Sequence, residues 1–465
     1  MSEAQSESSW VVERRNVPDA MTKVHARRRI LSLYPQPALF ETGESSQAVD
    51  GNQTLFMVDL LFELKLIDGN WHVHTCGPFE GDVNTYRAIV NDMTQTLWER
   101  LRQVMRCLAL PDGYPLVLLL GYSAARFIEN LPDMDIEEGI PEVLFRVYRY
   151  TIRYDDAQNG ALIDILKFSP NDVSNVATLL DALTKNESSP PVKDWDLGCI
   201  RDLTEKSVFS AAVERAKEYI RAGDIYQVQL CRRAVLSATI PPIDLYERLA
   251  SINPAPYMYY LDIGNQHIVS SSPELMIRVQ DGVAQVRPIA GTMRQKDQRG
   301  ESLNNIPKEA AEHLMLVDLA RNDLARCAIP GGVAVTSFMQ VTSYGPLLHL
   351  VSTIETKIRT GCDIWDLIIA NFPAGTMTGA PKVRAMEIIS ELEGAPRGLY
   401  TGCAGYITGL NSGVFALTIR TIIGNPGRYI LQSAAGIVTD SQAAAEWDET
   451  GAKIDSFSRT MVVNA

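Results

Sequence analysis

Residues 257–291 read YMYYLDIGNQHIVSSSPELMIRVQDGVAQVRPIAG, and this stretch decides the fold class. Four short apolar runs follow one another, at 257–263, 267–270, 274–280 and 285–291, with only turn residues between them. A doubly wound parallel sheet needs a helix after each strand, so strands in direct succession indicate antiparallel pairing. The stretch therefore predicts an α+β fold with large, mostly antiparallel β-sheets.

The rest of the chain fits the same class, because its strands and helices also come in blocks. Further strands are predicted at 55–67, 116–120, 225–237, 403–408, 414–423 and 428–434. Amphipathic spacing predicts helices at 91–107, 208–222, 307–328, 362–371, 382–393 and 443–462.

Three regions are predicted along the chain. Residues 1–28 are polar and are expected to form a loose N-terminal arm, with its basic cluster Arg27-Arg28-Arg29 in solvent. The sequence TKNESSPPVKD at 184–194 suits neither helix nor strand and predicts a linker. This linker would separate an N-terminal α+β region at 29–190 from a second region at 195–465.

Composition and charge exclude several classes of function. The 465 residues include 43 Lys and Arg against 56 Asp and Glu, a formal net charge of −13, which argues against a nucleic-acid partner. The seven cysteines form no C-x-x-C pair, and no apolar run is long enough for a membrane span. The N-terminus lacks the features of a signal peptide, so a cytoplasmic protein is expected.

The last predicted helix places charged side chains on one face. Glu446, Glu449 and Lys453 stand at i, i+3 and i+7, and the helix at 307–328 offers a second carboxylate pair, Glu309 and Glu312. Mg²⁺ favours one or two carboxylates together with water and substrate oxygens. On spacing alone, a solvated helix face is the favoured interpretation of these pairs, and a cation site is the alternative.

The stretch NFPAGTMTGAPK at 371–382 resembles a phosphate-binding loop only at first sight. It lacks the glycine that must precede the lysine, so an ATP site is not predicted. Backbone N–H groups at the start of the following helix could bind a carboxylate, and a tight turn is the alternative.

Three polar residues stand next to or within apolar runs. Glu274 precedes LMIRV, where partial burial would raise its pKa and suit a general acid; a surface carboxylate is the alternative. Arg420 lies in the predicted strand VFALTIRTII and needs a carboxylate partner, from the protein or from a ligand. His349 lies in LLHL, where a hydrogen-bonded core histidine is the alternative to a functional one.

Taken in order, several motifs resemble one family. They are GDIYQV at 223–228, SSPE at 271–274, RPIAGT at 287–292, EHLMLVDLARNDLAR at 312–326, GTMTGAPKVRAMEII at 375–389, TIR at 418–420, AAGIVTDS at 434–441 and EWDET at 446–450. Over about residues 200–460 the chain resembles the chorismate-utilising enzymes, and most closely the large subunit (component I) of anthranilate synthase. The resemblance implies sheets packed as a sandwich with helices outside.

The resemblance also implies a metal and an acid. Mg²⁺ would be held by Glu312 and Glu449, with Glu446 and Glu309 in support. Glu274 would be the general acid that protonates the departing C4 hydroxyl of chorismate.

Further family positions fall on the ring and the carboxylates of the substrate. His349 and Thr376 would line the ring, with His349 assisting the later elimination. The substrate-binding positions implied are Gly291, Tyr400, Arg420, Ala434, Gly436 and Lys453.

Two positions bear on the nucleophile. Relatives that add water carry a lysine where Gln227 stands, and relatives that aminate C4 carry one in place of Ala290. The resemblance therefore implies amination at C2 with ammonia, followed by loss of pyruvate to give anthranilate. The chain has no glutaminase-like segment, so a separate glutamine amidotransferase subunit or free ammonia would be the ammonia source. The resemblance also implies assembly into an oligomer.

Departures from the family pattern keep other functions open. Ala434 replaces a family glycine, and Met293-Arg294-Gln295 replaces Arg-Pro-Arg, which motivates an aminodeoxyisochorismate synthase that stops before pyruvate loss. An aminodeoxychorismate synthase is disfavoured by Ala290. A silent amino-acid-binding paralogue is disfavoured by the retained carboxylates.

A tryptophan-binding site is implied in the N-terminal region and the segment NPAPYM at 253–258. Its candidate residues are Glu41, Thr42, Pro256, Tyr257 and Met258. Leu60 stands where feedback-inhibited members have a serine, and this counts against inhibition by tryptophan.

Overall fold

The structure is a computed structural model that describes residues 10–18, 20–43, 53–131, 134–155, 160–168, 176–185, 195, 198–294, 302–344 and 347–461. The strands are β1 (Val11–Val17), β2 (Ala38–Glu41), β3 (Thr54–Ile67), β4 (Asn70–Thr75), β5 (Leu116–Leu120), β6 (Val143–Asp155), β7 (Gly160–Lys167), β8 (Ile200–Asp202), β9 (Gln227–Leu236), β10 (Tyr257–Asp262), β11 (His267–Ser272), β12 (Leu275–Gln280), β13 (Val283–Arg287), β14 (Ile289–Arg294), β15 (Ala334–Tyr344), β16 (Leu347–Lys357), β17 (Gly379–Ala380), β18 (Cys403–Gly409), β19 (Ser412–Leu417), β20 (Thr421–Asn425) and β21 (Arg428–Ile437). The helices are α1 (Lys23–Leu33), α2 (Val83–Val90), α3 (Leu97–Leu108), α4 (Ala177–Thr184), α5 (Lys206–Ala222), α6 (Pro242–Ile252), α7 (Pro307–Ala325), α8 (Ile364–Asn371), α9 (Lys382–Leu392) and α10 (Ala443–Met461).

The sheet confirms the predicted fold class, because every strand pair formed by the described residues is antiparallel. The pairs run β9–β21–β20–β11–β10–β2–β3–β6–β5–β18–β19–β12–β13–β16, and the remaining strands add at the edges of these. The stretch 257–291 forms β10 to β13 and the start of β14, as successive strands.

Three layers of apolar side chains confirm the sandwich with helices outside. The middle layer packs Leu261 of β10 and Ile268 of β11, in one half of the sheet, against Val117 of β5 and Ala404 of β18, in the other half. One outer face is covered by α1, α4, α6 and α10, and the other by α2, α3, α5, α7, α8 and α9. No helix among the described residues has the length and hydropathy needed to cross a bilayer.

The expectation of a loose arm at 1–28 is wrong for its described part. β1 pairs with β7 along its whole length, and α1 packs Ala26 and Ile30 into the core. Arg27, predicted to be solvated, is buried and donates to both carboxylate oxygens of Glu41, at 2.9 and 3.1 Å. Residues 1–9 lie outside the described part of the chain.

The structure does not divide the chain at the predicted linker. Residues 186–194 lie outside the described part, but the regions on either side share one sheet and one core. β2 pairs with β10, and β5 pairs with β18. The strands of the second region, which carries the predicted catalytic residues, are therefore hydrogen-bonded to strands of the first region.

Candidate active site

One cavity of about 970 Å³ brings together all the residues predicted to serve catalysis, substrate binding and metal binding. These are Glu274, Gly291, Glu312, His349, Thr376, Tyr400, Arg420, Ala434, Gly436, Glu446, Glu449 and Lys453. The cavity lies where β20 ends its pairing with β21 at Leu431. The following residues of β21 pair with β9 on one side only among the described strands, so their other edge faces the cavity.

Arg420 reaches this cavity because the predicted strand 414–423 is broken. β19 ends at Leu417 and pairs with β12 and β18, whereas β20 begins at Thr421 and pairs with β11 and β21. Arg420 lies between them in a left-handed conformation, with a φ of 50°. The prediction of one continuous strand is therefore wrong, since the chain crosses here from one half of the sheet to the other.

Arg420 is a buried cation that makes no direct ion pair with the residues that the structure describes. Its guanidinium makes no hydrogen bond or salt bridge with any residue that the structure describes. Burial lowers its pKa, while Tyr400 and Glu449 oppose this effect. An arginine nevertheless stays charged in proteins, so the charge calls for an anionic ligand.

Tyr400 and Lys453 add further donors to the same cavity. The Tyr400 hydroxyl makes no hydrogen bond with a described residue, and burial raises its pKa well above the usual range. The Lys453 ammonium donates to the Ala434 carbonyl at 2.8 Å and lies 2.7 Å from a Glu449 oxygen. Together with Arg420, these groups can bind a carboxylate through charged and neutral donors.

Glu274 has the surroundings of a general acid. It directly follows Pro273 at the junction of β11 and β12 and is only 5% exposed. Burial raises the pKa of its carboxyl to about 8, and the Thr376 hydroxyl lowers it only in part. The Thr376 oxygen itself is buried and completes no hydrogen bond of normal geometry with the described residues. At neutral pH the carboxyl therefore retains a proton that it can donate.

His349 has the surroundings of a neutral base. Its Nδ1 lies 2.8 Å from the Gly291 carbonyl, and because a carbonyl only accepts, Nδ1 must donate. Burial, followed by the charges of Arg420 and Lys453, lowers the pKa of the imidazole to about 4. The ring is therefore neutral at physiological pH and carries its lone pair on Nε2.

The acidic residues that line the cavity come from two helices. Glu309 and Glu312 come from α7, and Glu446 and Glu449 from α10. Within the described ranges, no three His, Cys, Asp or Glu side chains are grouped closely enough to form a metal site by themselves. The donor set still fits Mg²⁺, because this ion commonly takes only one or two protein carboxylates and completes its shell with water and substrate oxygens.

The two positions that bear on the nucleophile lie beside this group. Ala290 lines the cavity from β14, so a longer side chain there would reduce its free volume. The Gln227 amide nitrogen donates to Glu312 Oε1 at 3.3 Å, and its oxygen is buried without a hydrogen bond from a described residue. A Cβ at Gly436 would collide with the Gln227 amide. Gly291 is likewise constrained to be glycine, because its φ is 66° and a Cβ there would lie 2.8 Å from Glu309 Oε2.

Several cavity residues were not predicted from the sequence. Gln229, Gln432, Ser433 and Asn253 also line the cavity. Gln229 stands two residues after Gln227 on β9, so the period-two alternation of a strand would have placed it on the same face. Gln432 stands two residues before Ala434 on β21, so the same alternation would have placed it as well. Ser433 and Asn253 carry no such periodic signal.

The residues predicted to bind tryptophan lie together, but they do not line this cavity. Glu41 of β2 stands opposite Met258 of β10, and Gly43 donates to the Ala255 carbonyl at 2.9 Å. The Glu41 carboxylate is already bound by Arg27 and also accepts from the Tyr246 hydroxyl at 2.7 Å. A ligand ammonium would have to share this carboxylate with both.

Comparison with known proteins gives consistent similarities. A model of the chorismate binding enzyme family matches residues 69–459. The 2-amino-4-deoxychorismate synthase of Streptomyces globisporus is 40% identical over 346 residues, which cover 72% of this chain and 70% of that protein. Anthranilate synthase component 1 of Acinetobacter calcoaceticus is 36% identical over 472 aligned residues, covering 95% and 93%. The crystal structure of anthranilate synthase component I from Streptococcus pneumoniae superposes with a TM-score of 0.69 at 29% identity, covering 88% and 92% of the two chains.

Proposed function

This chain belongs to the family of chorismate-binding enzymes, and from that membership we propose that it aminates chorismate at C2 with ammonia and eliminates pyruvate to give anthranilate. The observation that carries the proposal is the pairing of two groups in one cavity. Glu274 holds a proton at neutral pH, and Arg420 is buried without a direct ion pair to any described residue. Chorismate offers both a hydroxyl that must leave as water and carboxylates that need a cation.

Substrate binding in this proposal rests on the donors of the cavity wall. Arg420, Tyr400 and Lys453 bind the substrate carboxylates, and Arg420 thereby gains a direct ion pair. The ring then lies between Thr376 and His349.

Mg²⁺ is proposed as the cofactor on the chemistry of its donors. Glu312 and Glu449 would hold it, with Glu446 and Glu309 in support. When bound, the ion neutralises a substrate carboxylate and withdraws electrons from the ring as a Lewis acid.

The first proposed step is amination. Ammonia forms a bond to C2, the ring double bonds shift, and the C4 hydroxyl leaves as water with the proton from Glu274. The nearby Gln227 carries no base that would activate water. Ala290 offers no lysine nucleophile for amination at C4.

The second proposed step is elimination. His349 Nε2 accepts the proton from C2, the bond from C3 to the enolpyruvyl oxygen breaks, and pyruvate departs as the ring becomes aromatic. A neutral imidazole with its lone pair on Nε2 is the state that this step requires.

A second candidate stops after the first step. It is favoured by the relative from Streptomyces globisporus, whose name places the amino group at C2 and retains the chorismate skeleton. Ala434 supports the same candidate, since this residue lines the cavity from β21 at a position where the family pattern has glycine.

One assay separates the candidates. Purified chain would be incubated with chorismate, Mg²⁺ and ammonium at alkaline pH, and products read by mass, anthranilate fluorescence and pyruvate release. Anthranilate with one equivalent of pyruvate supports the first proposal, and an aminated product without pyruvate supports the second. Binding of chorismate without turnover would instead point to a silent paralogue.

Two partners extend the proposal. A glutamine amidotransferase subunit would supply ammonia, so glutamine should replace ammonium only when such a subunit is added.

Tryptophan, as a regulatory ligand, would bind at Glu41 and Tyr257. Inhibition that is lost in Tyr257→Ala, with the basal rate retained, would support this regulation, and an uninhibited wild type would refute it.

A further inference from the structure

Two buried threonines stand on either side of Arg420 at the crossing between β19 and β20. Arg420 itself has a φ of 50°, a conformation that is unfavourable for a residue with a side chain and persists only where the surrounding structure imposes it. Thr418 and Thr421 are both buried, and neither lines the cavity. Their hydroxyls therefore act on the protein and not on a ligand in the cavity.

Hydrogen bonds hold the peptide groups on both sides of the Arg420 Cα. The Thr421 hydroxyl donates to the Ile419 carbonyl at 2.9 Å. The Ser271 N–H donates to the Arg420 carbonyl at 3.1 Å. Rotation about φ of Arg420 would displace the first carbonyl, and rotation about ψ would displace the second. Because these are the only two soft backbone dihedrals of a residue, the two bonds together hold Arg420 in its left-handed conformation.

The strand register supplies partners for both threonine hydroxyls. Tyr259 of β10 stands opposite Ser270 of β11, which stands opposite Thr421 of β20, and directly opposite residues project on the same face. Ser270 Oγ lies 2.8 Å from Thr421 Oγ1. Because Thr421 gives its one hydroxyl proton to the Ile419 carbonyl, Ser270 must be the donor in this contact. The Tyr259 hydroxyl donates to Thr418 Oγ1 at 3.1 Å.

We propose that Thr421 is a positioning residue that holds the guanidinium of Arg420 in place to bind a carboxylate of the substrate. This inference rests on the proposed function, in which the carboxylate belongs to chorismate. A cation that is already held in its binding position does not have to be ordered by the ligand, and this favours binding. Loss of the Thr421 hydroxyl should therefore weaken affinity more than turnover, because Glu274 and His349 belong to other segments of the chain.

The test compares two variants of Thr421 with a control elsewhere in the sheet. Thr421→Val removes the hydroxyl and keeps the branched shape, whereas Thr421→Ser keeps the hydroxyl. Thr356→Val is the control, because Thr356 of β16 is likewise buried, does not line the cavity, and donates to a backbone carbonyl, that of Lys357, at 3.2 Å. The Kd for chorismate would be measured with Mg²⁺ and without ammonium by calorimetric titration, and kcat at saturating chorismate and ammonium.

Thr421→Val should raise the Kd about 10-fold, the effect of one hydrogen bond, with kcat changed less than about threefold. Thr421→Ser and Thr356→Val should both stay within about twofold of the wild-type Kd. In the Arg420→Gln background, Thr421→Val should raise the Kd by less than a further factor of about two, because its effect acts through Arg420. If Thr421→Val does not fold, Tyr259→Phe takes its place, since it removes the donor to Thr418, and should raise the Kd at least about threefold.

Three results would overturn the role of Thr421 while leaving the proposed function intact. They are a Kd of Thr421→Val, or of Tyr259→Phe in its place, within about twofold of wild type, an equal rise in Thr421→Ser, and an undiminished effect in the Arg420→Gln background. A wild type that fails to bind chorismate would overturn both the inference and the proposed function.

Discussion

At the scale of single residues, burial sets the protonation states on which the proposed chemistry depends. The carboxyl of Glu274 and the imidazole of His349 are both shifted toward their neutral forms, because the low-dielectric interior disfavours charge. The residue types were predicted from the sequence because each interrupts an apolar run. Their meeting in one cavity was implied only by the family resemblance, since spacing along the chain does not predict contacts between distant strands.

Glu274→Gln should lower turnover by roughly 10²- to 10⁴-fold, because glutamine cannot donate the proton. Mg²⁺-dependent chorismate binding should stay largely intact, because the protonated carboxyl and the amide are both uncharged at neutral pH. In the wild type, the rate divided by the free ammonia concentration should fall as pH rises through about 8, where Glu274 loses its proton. His349 should cause no further change of the rate with pH above about pH 5, since the pKa of its imidazole lies near 4.

The measurements are initial rates across pH 6.5–9.5 and calorimetric binding of chorismate. Loss of binding in Glu274→Gln would mean that this residue is a metal or structural group instead of an acid.

Arg420→Gln should raise the Kd for chorismate by about 100-fold, because a hydrogen-bonded ion pair is lost. Arg420→Lys should recover only part of the affinity, since lysine lacks the planar fork of arginine. The ligand-free stability of Arg420→Gln in urea should not fall, because the guanidinium has no partner among the described residues. A large loss of stability with unchanged affinity would show that Arg420 is structural.

At the scale of elements, the strands were predictable and their interruptions were not. Successive apolar runs predict β10 to β13, but VFALTIRTII reads as one strand and contains no glycine or proline at the break before Arg420. The left-handed turn there is imposed by the crossing between the two halves of the sheet. In the same way, the spacing of α7 predicts Leu314 on the buried stripe, whereas it is 54% exposed and His313 is buried.

Gly436 lies on the part of β21 that pairs only with β9 among the described strands, and a side chain at this position should impair the site. A Cβ at Gly436 would collide with the Gln227 amide and press on Glu312, so Gly436→Ala should lower turnover by at least about 10-fold with a small change in melting temperature. Gly427→Ala is the matched control, because Gly427 has a φ of 93° but open space around it. This control should cost about 1 kcal/mol in stability and leave turnover unchanged. Equal effects on turnover would contradict the account of Gly436.

At the scale of the whole molecule, the N-terminal residues are part of the core. The sequence of 11–17 has no pattern that predicts an edge strand, because its partner β7 lies about 150 residues away in the chain. Arg27 belongs to a basic cluster that resembles a solvated face. Its partner Glu41 becomes visible only when the chain has folded, so a local reading misses the ion pair.

Arg27→Met should lower the free energy of unfolding by about 3–5 kcal/mol, because it leaves the buried Glu41 carboxylate without its counter-ion. The double variant Arg27→Met, Glu41→Gln should recover part of this loss. Urea unfolding followed by circular dichroism measures both. A single variant within about 0.5 kcal/mol of wild type would support a loose arm after all.

The central claim, amination at C2, is tested most directly by the position of the nitrogen in the product. The purified chain would be supplied with chorismate, Mg²⁺ and ¹⁵N-ammonium, and the product analysed by NMR for the carbon bonded to ¹⁵N. The account predicts ¹⁵N on the ring carbon next to the one that bears the carboxylate, together with one equivalent of pyruvate. A label at C4, opposite the carboxylate-bearing carbon, or an unlabelled hydroxylated product, would contradict it.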